Sequence, residues 1–354
     1  MSNAVPNPKV SIVIICWNDS KYIVKCIESV LAQTLSTSFE IIVTDNGSTD
    51  GSVALIRGAF PGVRIVENGR NLGFAGANNR AFDVARGEYV LILNPDTVIC
   101  DRAIDKTVAF ADSRPQGGAF GCRMINPDGS YQRSAYPVPS IRGSLIAGLN
   151  LRRLEKLSSA FTSEIYYAWE GTSERTVGFM AGCYLLIRRD LLAALKGFDE
   201  RLFFQTEDAD LCLRVSKMGR PVIFFPGAEV IHIGGHNRGC YPTRVMLETQ
   251  RSFYRFFFKH YGFGSVRRLR WVMLLRFGFR AAVWRVLKAL GSKRADLDRL
   301  KIYTEIVRWH WRIDPVRFIK TGEEPETGFS PLGPIPRMIE GGPVDPGATA
   351  VRTL

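Results

Sequence analysis

Two stretches hold residues that could do chemistry together. Asn94-Pro95-Asp96 ends the apolar run Tyr89–Leu93, and Glu207, Asp208 and Asp210 put three carboxylates within four residues. Proline has no N–H and keeps its predecessor extended, so a strand stops at Asn94 and Asp96 stands at its carboxyl end. Ligands of open α/β sheets gather at that edge. A carboxylate there can hold a divalent cation on a diphosphate, or cap a helix starting near Asp101; this stretch alone leaves both readings open. Glu207, Asp208 and Asp210 open a helix whose dipole stabilises anions, so capping accounts for at least one of them. Phe203 and Phe204 just before them would dry the surroundings and raise a carboxyl pKa towards that of a general base. Asp210 has another use, holding a backbone group or Arg214.

Three further residues belong with these. Asp45 stands among Asn46, Ser48 and Asp50, where short acceptors suit a nucleotide base or ribose; an Asx-turn and a helix cap would explain Ser48 and Asp50 equally well. A lone histidine is usually structural, but His232 ends a strand in the polar stretch His-Ile-Gly-Gly-His. There it could share one hard cation, Mn²⁺ or Mg²⁺, with Asp96 and two diphosphate oxygens. The Gly73/Gly76 stretch only superficially resembles a dinucleotide fingerprint, since it reads Asn-x-Gly-x-x-Gly and follows the third strand rather than the first.

The elements that must position these residues are legible. Lys9–Cys16 is a β-branched run of the kind buried on both faces, broken by Trp17-Asn18-Asp19. A helix follows to about Gln33, with Ile23, Cys26, Ile27, Val30 and Leu31 on one face. Strands at Phe39–Thr44, Val63–Val66 and 88–93 alternate with helices ending near Phe60 and Arg86. Strand and helix alternating four times predict a mostly parallel sheet with helices on both faces. Right-handed crossovers bring the loops at 17–19, 45–51, 68–73 and 94–97 to one edge.

Beyond a helix at about 101–113, a hairpin is expected around Asn126-Pro-Asp-Gly129, then irregular chain over 138–173 and a strand over Thr176–Arg188. The small residues Gly178, Ala181 and Gly182 in that strand suggest close backbone approach. A helix from Thr206 or Glu207 to about Met218 and short strands at Val222–Phe225 and Ala228–Ile231 complete the domain.

The net charge of +13 lies in one place: between Arg251 and Lys320 there are 18 Lys/Arg against 4 Asp/Glu, leaving the other 284 residues at about −1. Phenylalanine and tryptophan interleave with these basic residues. Nucleic-acid binding would need a recognition module that is not seen, so the pattern fits amphipathic helices lying on a membrane surface better. No stretch has the form of a signal peptide or a membrane span, and the 7 cysteines read as reduced core residues. The expected layout is a catalytic domain over 1–240, basic amphipathic helices over 241–320 and a disordered tail over 321–354.

Read in order, Val10–Asn18, Thr44–Ser52 (TDNGSTDGS), Asn71–Asn79 (NLGFAGANN), Leu93–Thr97 (LNPDT), Gly197–Asp199 with Phe203–Arg214, and His232 resemble the family 2 glycosyltransferases, most closely the bacterial rhamnosyltransferase branch. The resemblance covers about residues 9–260. It implies a GT-A fold with a small antiparallel acceptor-side part, and an inverting, metal-dependent transferase. The donor would be a nucleotide-sugar, dTDP-rhamnose above all, and the acceptor a glycan or polyprenyl-linked glycan at the cytoplasmic membrane face. Trp17, Asp45, Asn71, Gly73, Asn79, Asn94 and Asp96 would bind donor. Asp208 would be the catalytic base, Glu207 would face the acceptor, and Asp96 and His232 would hold Mg²⁺ or Mn²⁺. The inner leaflet would be a partner, and a homodimer is compatible. The family's usual Asp-x-Asp appears here as Asn94-Pro95-Asp96, a variation shared by the rhamnosyltransferase branch. A UDP- or GDP-sugar donor, a sugar nucleotidyltransferase and a non-catalytic sugar-binding relative stay open as alternatives.

Overall fold

The computed structural model describes residues 7–203, 205–234, 242–292 and 296–327. The chain forms two compact units: one from residues up to 138 with 169–200 and 207–234, the other from 139–168, 201–206 and 235 onward. The second unit joins 139–168 and 201–206, which the sequence reading left in the first domain, to the chain from 235 onward. Cys240, His236, Phe204 and the expected tail beyond residue 327 lie outside the described residues.

The first unit is built on one mixed sheet. Its strands are β1 (Val10–Cys16), β2 (Phe39–Asp45), β3 (Arg64–Glu67), β4 (Tyr89–Leu93), β5 (Thr97–Ile99), β6 (Ala119–Ile125), β7 (Tyr131–Gln132), β9 (Arg175–Val177), β11 (Tyr184–Arg188) and β12 (Val222–His232); β8 (Ala135–Tyr136) and β10 (Phe179–Met180) pair separately. The main order is β3-β2-β1-β4-β11-β6-β12-β5. Pairing within β3-β2-β1-β4 is parallel throughout, as the alternating pattern predicts. The order reverses at β1, which opens a crevice between β1 and β4 at their carboxyl ends. Register fixes what meets there: Cys16 pairs with Asp45, Asp45 with Glu67, and Ile14 with Leu93.

The interior of this sheet is β-branched and aliphatic. Ile12, Ile14, Val43, Leu91 and Leu93 are buried with Phe120, Tyr184 and Leu186 in one core. Each such side chain removed from water contributes about 1.5–3 kcal/mol. The helices are α1 (Ile23–Gln33), α2 (Ser52–Ala59), α3 (Gly73–Phe82), α4 (Ala103–Asp112), α6 (Arg189–Leu195) and α7 (Glu207–Lys217), with α5 (Ile141–Gly148) in the second unit. In α1, Ile23, Cys26, Ile27 and Val30 face the core as expected, whereas Leu31 points to solvent.

Four departures are found, the first three from long-range pairing, which local patterns do not report. Strand β5 intervenes between Asp96 and α4, and α4 begins behind Arg102, so Asp96 caps no helix there. The expected strand over Thr176–Arg188 is three short strands. It breaks where Gly178 passes so close to Val138 that a Cβ would sit 2.1 Å from the Val138 nitrogen. The two strands expected over Val222–Ile231 are one, β12, with a register shift between Phe225 and Glu229. The stretch 138–173, expected to be irregular, contains α5, capped by the Ser140 hydroxyl accepting from the Gly143 N–H at 3.0 Å.

The second unit is helical. α8 (Pro242–Ala289) is broken at Gly262, whose φ of 72° is left-handed and costs glycine little; α9 (Leu297–Arg312) and α10 (Pro315–Thr321) follow, each opened by an aspartate cap, Asp296 and Asp314. Fully buried Arg251 is satisfied by both oxygens of Glu324, at 2.8 and 2.7 Å, and by Glu248 at 3.0 Å. Among the described residues no helix is long and apolar enough to cross a membrane.

Candidate active site

Register places the first pair of site residues. His232 ends β12 opposite Thr97 of β5, which sets its ring beside Asp96, with Nε2 3.3 Å from Asp96 Oδ1. Asp96 Oδ2 accepts the Gly234 N–H at 3.0 Å. Burial raises the cost of charge on Asp96, yet the hydrogen bond and charge of His232 and the Gly234 N–H outweigh it, so its carboxyl stays below the usual range. On the far side of the ring, Nδ1 lies 2.7 Å from Gln132 Oε1. A carboxamide oxygen only accepts, so Nδ1 carries a proton, and Nε2 is turned towards Asp96 and Asn94 Nδ2, the latter at 3.4 Å.

Asp96 Oδ1 and His232 Nε2 lie 3.3 Å apart, close enough for one cation to be shared between them. Among the described residues no group of three or more His, Cys, Asp or Glu could hold a metal. The pair therefore fits a hard divalent ion that takes its other oxygens from substrate phosphate and water, with Gln132 orienting the histidine from behind. Gln132 had no signal in the sequence: it is 100 residues from its partner.

Asp208 opens α7 and is held from two sides. Its Oδ2 accepts the Gly182 N–H at 3.3 Å and its Oδ1 the Ala209 N–H at 2.8 Å. Burial pushes its pKa up to about 6, the two amide donors pulling the other way. An edge of the residue still meets solvent. Gly182 has to be small, since a Cβ there would come within 2.9 Å of the Phe74 ring. The next residue, Cys183, accepts the Asn94 N–H at 3.1 Å and the Thr97 hydroxyl at 3.4 Å through its carbonyl. Two consecutive residues thus hold the Asp208 carboxyl and the turn that carries Asp96. The sequence flagged Gly182 for close approach; it gave no sign of what approaches.

Of its neighbours, Asp210 is fully buried and binds Arg214 Nε at 2.8 Å, and Arg214 closes the turn before α7 through the carbonyls of Leu195 and Gly197. The arginine option foreseen for Asp210 is the one found. Glu207 is buried at the same helix start.

The expected donor residues divide. Trp17 is exposed at the end of β1, beside the 45–48 turn that follows β2. Asp45 is buried and accepts the N–H groups of Gly47 and Ser48, both at 3.1 Å, an Asx-type turn that still leaves lone pairs. Asn71 Oδ1 takes the Gly73 N–H at 2.8 Å and an Asn46 Nδ2 proton at 3.0 Å. Asn46, which was noted only as a neighbour of Asp45, is the centre of this part: its Oδ1 also accepts from Leu72 and Asn68, tying the loops after β2 and β3 together. Asn79, expected at the donor, has its amide engaged elsewhere. It bonds the Phe198 N–H at 2.8 Å, the Phe198 carbonyl at 3.0 Å and Glu200 at 3.0 Å, clamping the turn whose Gly197 lies against it.

A parallel half-sheet with acidic loops on its carboxyl edge and an antiparallel extension bearing a further carboxylate is the GT-A glycosyltransferase arrangement. A mannosyltransferase from Pyrobaculum calidifontis, solved with GDP-Man and Mn²⁺, superposes with a TM-score of 0.52 at 17% identity, covering 86% of this chain and 85% of that one. The model of glycosyl transferase family 2 matches residues 11–195, and the chain belongs to that family. It is a glycosyltransferase. Among its relatives, the N-acetylglucosaminyl-diphospho-decaprenol L-rhamnosyltransferase of Mycobacterium tuberculosis is 33% identical over 246 residues, 66% of this chain and 79% of the relative. The rhamnosyltransferase WbbL of Escherichia coli is 26% identical over 70% of this chain and 92% of its own length.

Proposed function

We propose that this chain is an inverting rhamnosyltransferase that moves L-rhamnose from dTDP-rhamnose to a hydroxyl of a polyprenyl-linked or nascent surface glycan. The observation that carries the mechanism is the Gly182–Cys183 link, which holds a carboxyl poised near neutrality beside a turn bearing one kept ionised. Such separation of two carboxyl pKa values marks divided roles. Asp208 takes the proton from the acceptor hydroxyl. The freed oxygen attacks the anomeric carbon as the bond to the nucleoside diphosphate breaks on the opposite face, so one displacement inverts the configuration. Asp96 and His232 hold the divalent cation, with Gln132 fixing the ring and Asn94 beside it. When bound, Mg²⁺ or Mn²⁺ offsets the charge on the departing diphosphate. Trp17, Asp45, Asn71 and Gly73 border the nucleoside side of the crevice; Glu207 lies towards the acceptor.

Two relatives bearing rhamnosyltransferase names support the sugar, and one named for a decaprenol diphosphate supports the acceptor class. A nucleotidyltransferase would need a glycine-rich basic loop after its first strand. Here that loop is Trp17-Asn18-Asp19, bonded to the next loop through Asn18 and Thr49 at 2.8 Å. Incubation with dTDP-rhamnose, UDP-sugars and GDP-sugars, with products read by mass spectrometry, tests the donor. Rhamnosyl product from dTDP-rhamnose alone is expected, and a UDP- or GDP-sugar used in preference would replace that donor.

A pH profile follows from the raised carboxyl. The base works unprotonated, so kcat/KM should be level above about pH 6 and fall about tenfold per unit below it. A profile level down to pH 4.5 would remove Asp208 from the role.

A further inference from the structure

The second half of α8 carries two apolar faces, and the fold uses one. Val266, Leu269, Met273, Phe277 and Ala281 are buried, with Phe277 stacked on His310 of α9 at 6.0 Å between ring centres. On the opposite side, Trp271, Leu275, Phe279, Val283 and Val286 recur at steps of three or four, and Leu290 continues the stripe just past the last turn. All six are exposed, Trp271 by 62%, Phe279 by 51% and Leu290 by 75%. At 1.5 Å per residue the stripe runs for about 30 Å. Apolar side chains scattered singly on a surface need no explanation, but a contiguous row marks an interaction site.

Charge says what covers it. Between Glu248 and Asp296 the chain has no acidic residue and 12 Lys/Arg. Arg267, Arg268, Arg285 and Lys288 are exposed around the stripe. A second copy laid against it would bring the exposed basic residues of the two helices together, and Glu164, the acid that reaches this helix, is already paired with Arg276. Single-stranded nucleic acid stacks on aromatic faces, which Leu275, Val283, Val286 and Leu290 lack. An anionic bilayer suits both features: it takes apolar and aromatic side chains at the acyl boundary and basic heads among its phosphates. We propose that this face of α8 docks the chain flat on an anionic phospholipid surface.

The inference rests on the lipid-linked acceptor reading for its purpose, but binding is measured with neither donor nor acceptor present, so the two can fail separately. The full chain is sedimented with vesicles of phosphatidylcholine, alone or with about a third phosphatidylglycerol, at two ionic strengths. Binding at least about tenfold tighter to the anionic vesicles, weakened by salt, is expected. Joint Trp271→Ser and Phe279→Ser replacement should lower that binding by about tenfold or more with circular dichroism unchanged. Leu31→Ser, which removes an exposed leucine of α1, should leave binding as it was. Equal binding to both vesicles, or a double variant that binds like the parent, overturns the proposal. So does a parent dimer, seen by light scattering, that the double variant loses, which would assign the stripe to a second copy.

Discussion

Asp208→Asn is expected to cut sugar transfer about 10³-fold, within the range that a positioned base supplies, while donor affinity stays near that of the parent. Asparagine keeps the shape and can still meet one backbone amide, but it cannot take the acceptor proton. The same variant should be the more stable protein at neutral pH. The native carboxyl titrates near 6 and an unfolded aspartate near 3.8, so stability from this group is present below the lower value and lost as pH rises through the upper one. Asparagine removes that loss. Its thermal midpoint should therefore exceed the parent's at pH 7.5 and match it near pH 3. Near-normal turnover would end the assignment of Asp208 as base; low turnover with a lowered midpoint would mean instead that the fold had been damaged.

Asp96→Ala is expected to lower transfer by about 10²-fold or more, as loss of one preorganised stabiliser of leaving-group charge does elsewhere. His232→Ala should do likewise, and Gln132→Leu less, because it frees the ring without removing it. Calorimetric titration of Mn²⁺ in the presence of dTDP separates binding from turnover: the parent should bind and either alanine variant should bind far more weakly. EDTA should silence the parent and added Mn²⁺ or Mg²⁺ restore it. Full resistance to chelation would take the metal role from both residues.

Much of the fold is legible in the sequence. The parallel half of the sheet announced itself through β-branched runs broken at Asn18, Asp45 and Asn94, because strands buried on both faces have few other ways to be written. Apart from α5, which a local Ser140 cap opens, what stayed hidden shares one physical cause. Strand β5, the splitting of Thr176–Arg188 and the Gln132–His232 bond depend on partners far away in sequence, and no local pattern encodes a partner. Asp96 shows the difference best: its local context left a helix cap and a cation ligand both open, and the pairing of Thr97 with His232 sets it beside the His232 ring instead of at a helix start. Asn79 adds a contact that its motif does not report: its amide holds a turn 119 residues away.

Asn94 gains meaning from this geometry. An aspartate there would add a second negative charge against Asp96 and the ring; the carboxamide instead offers a donor 3.4 Å from Nε2. The proposed mechanism thus assigns one carboxylate to the cation and one to the proton.

The configuration of the new glycosidic bond tests that division most directly. Product formed from dTDP-rhamnose is analysed by NMR for the one-bond carbon–proton coupling at its anomeric centre. One base and one displacement predict a configuration opposite to the donor's. Retention would require a second displacement and a nucleophile, and would contradict the role given to Asp208.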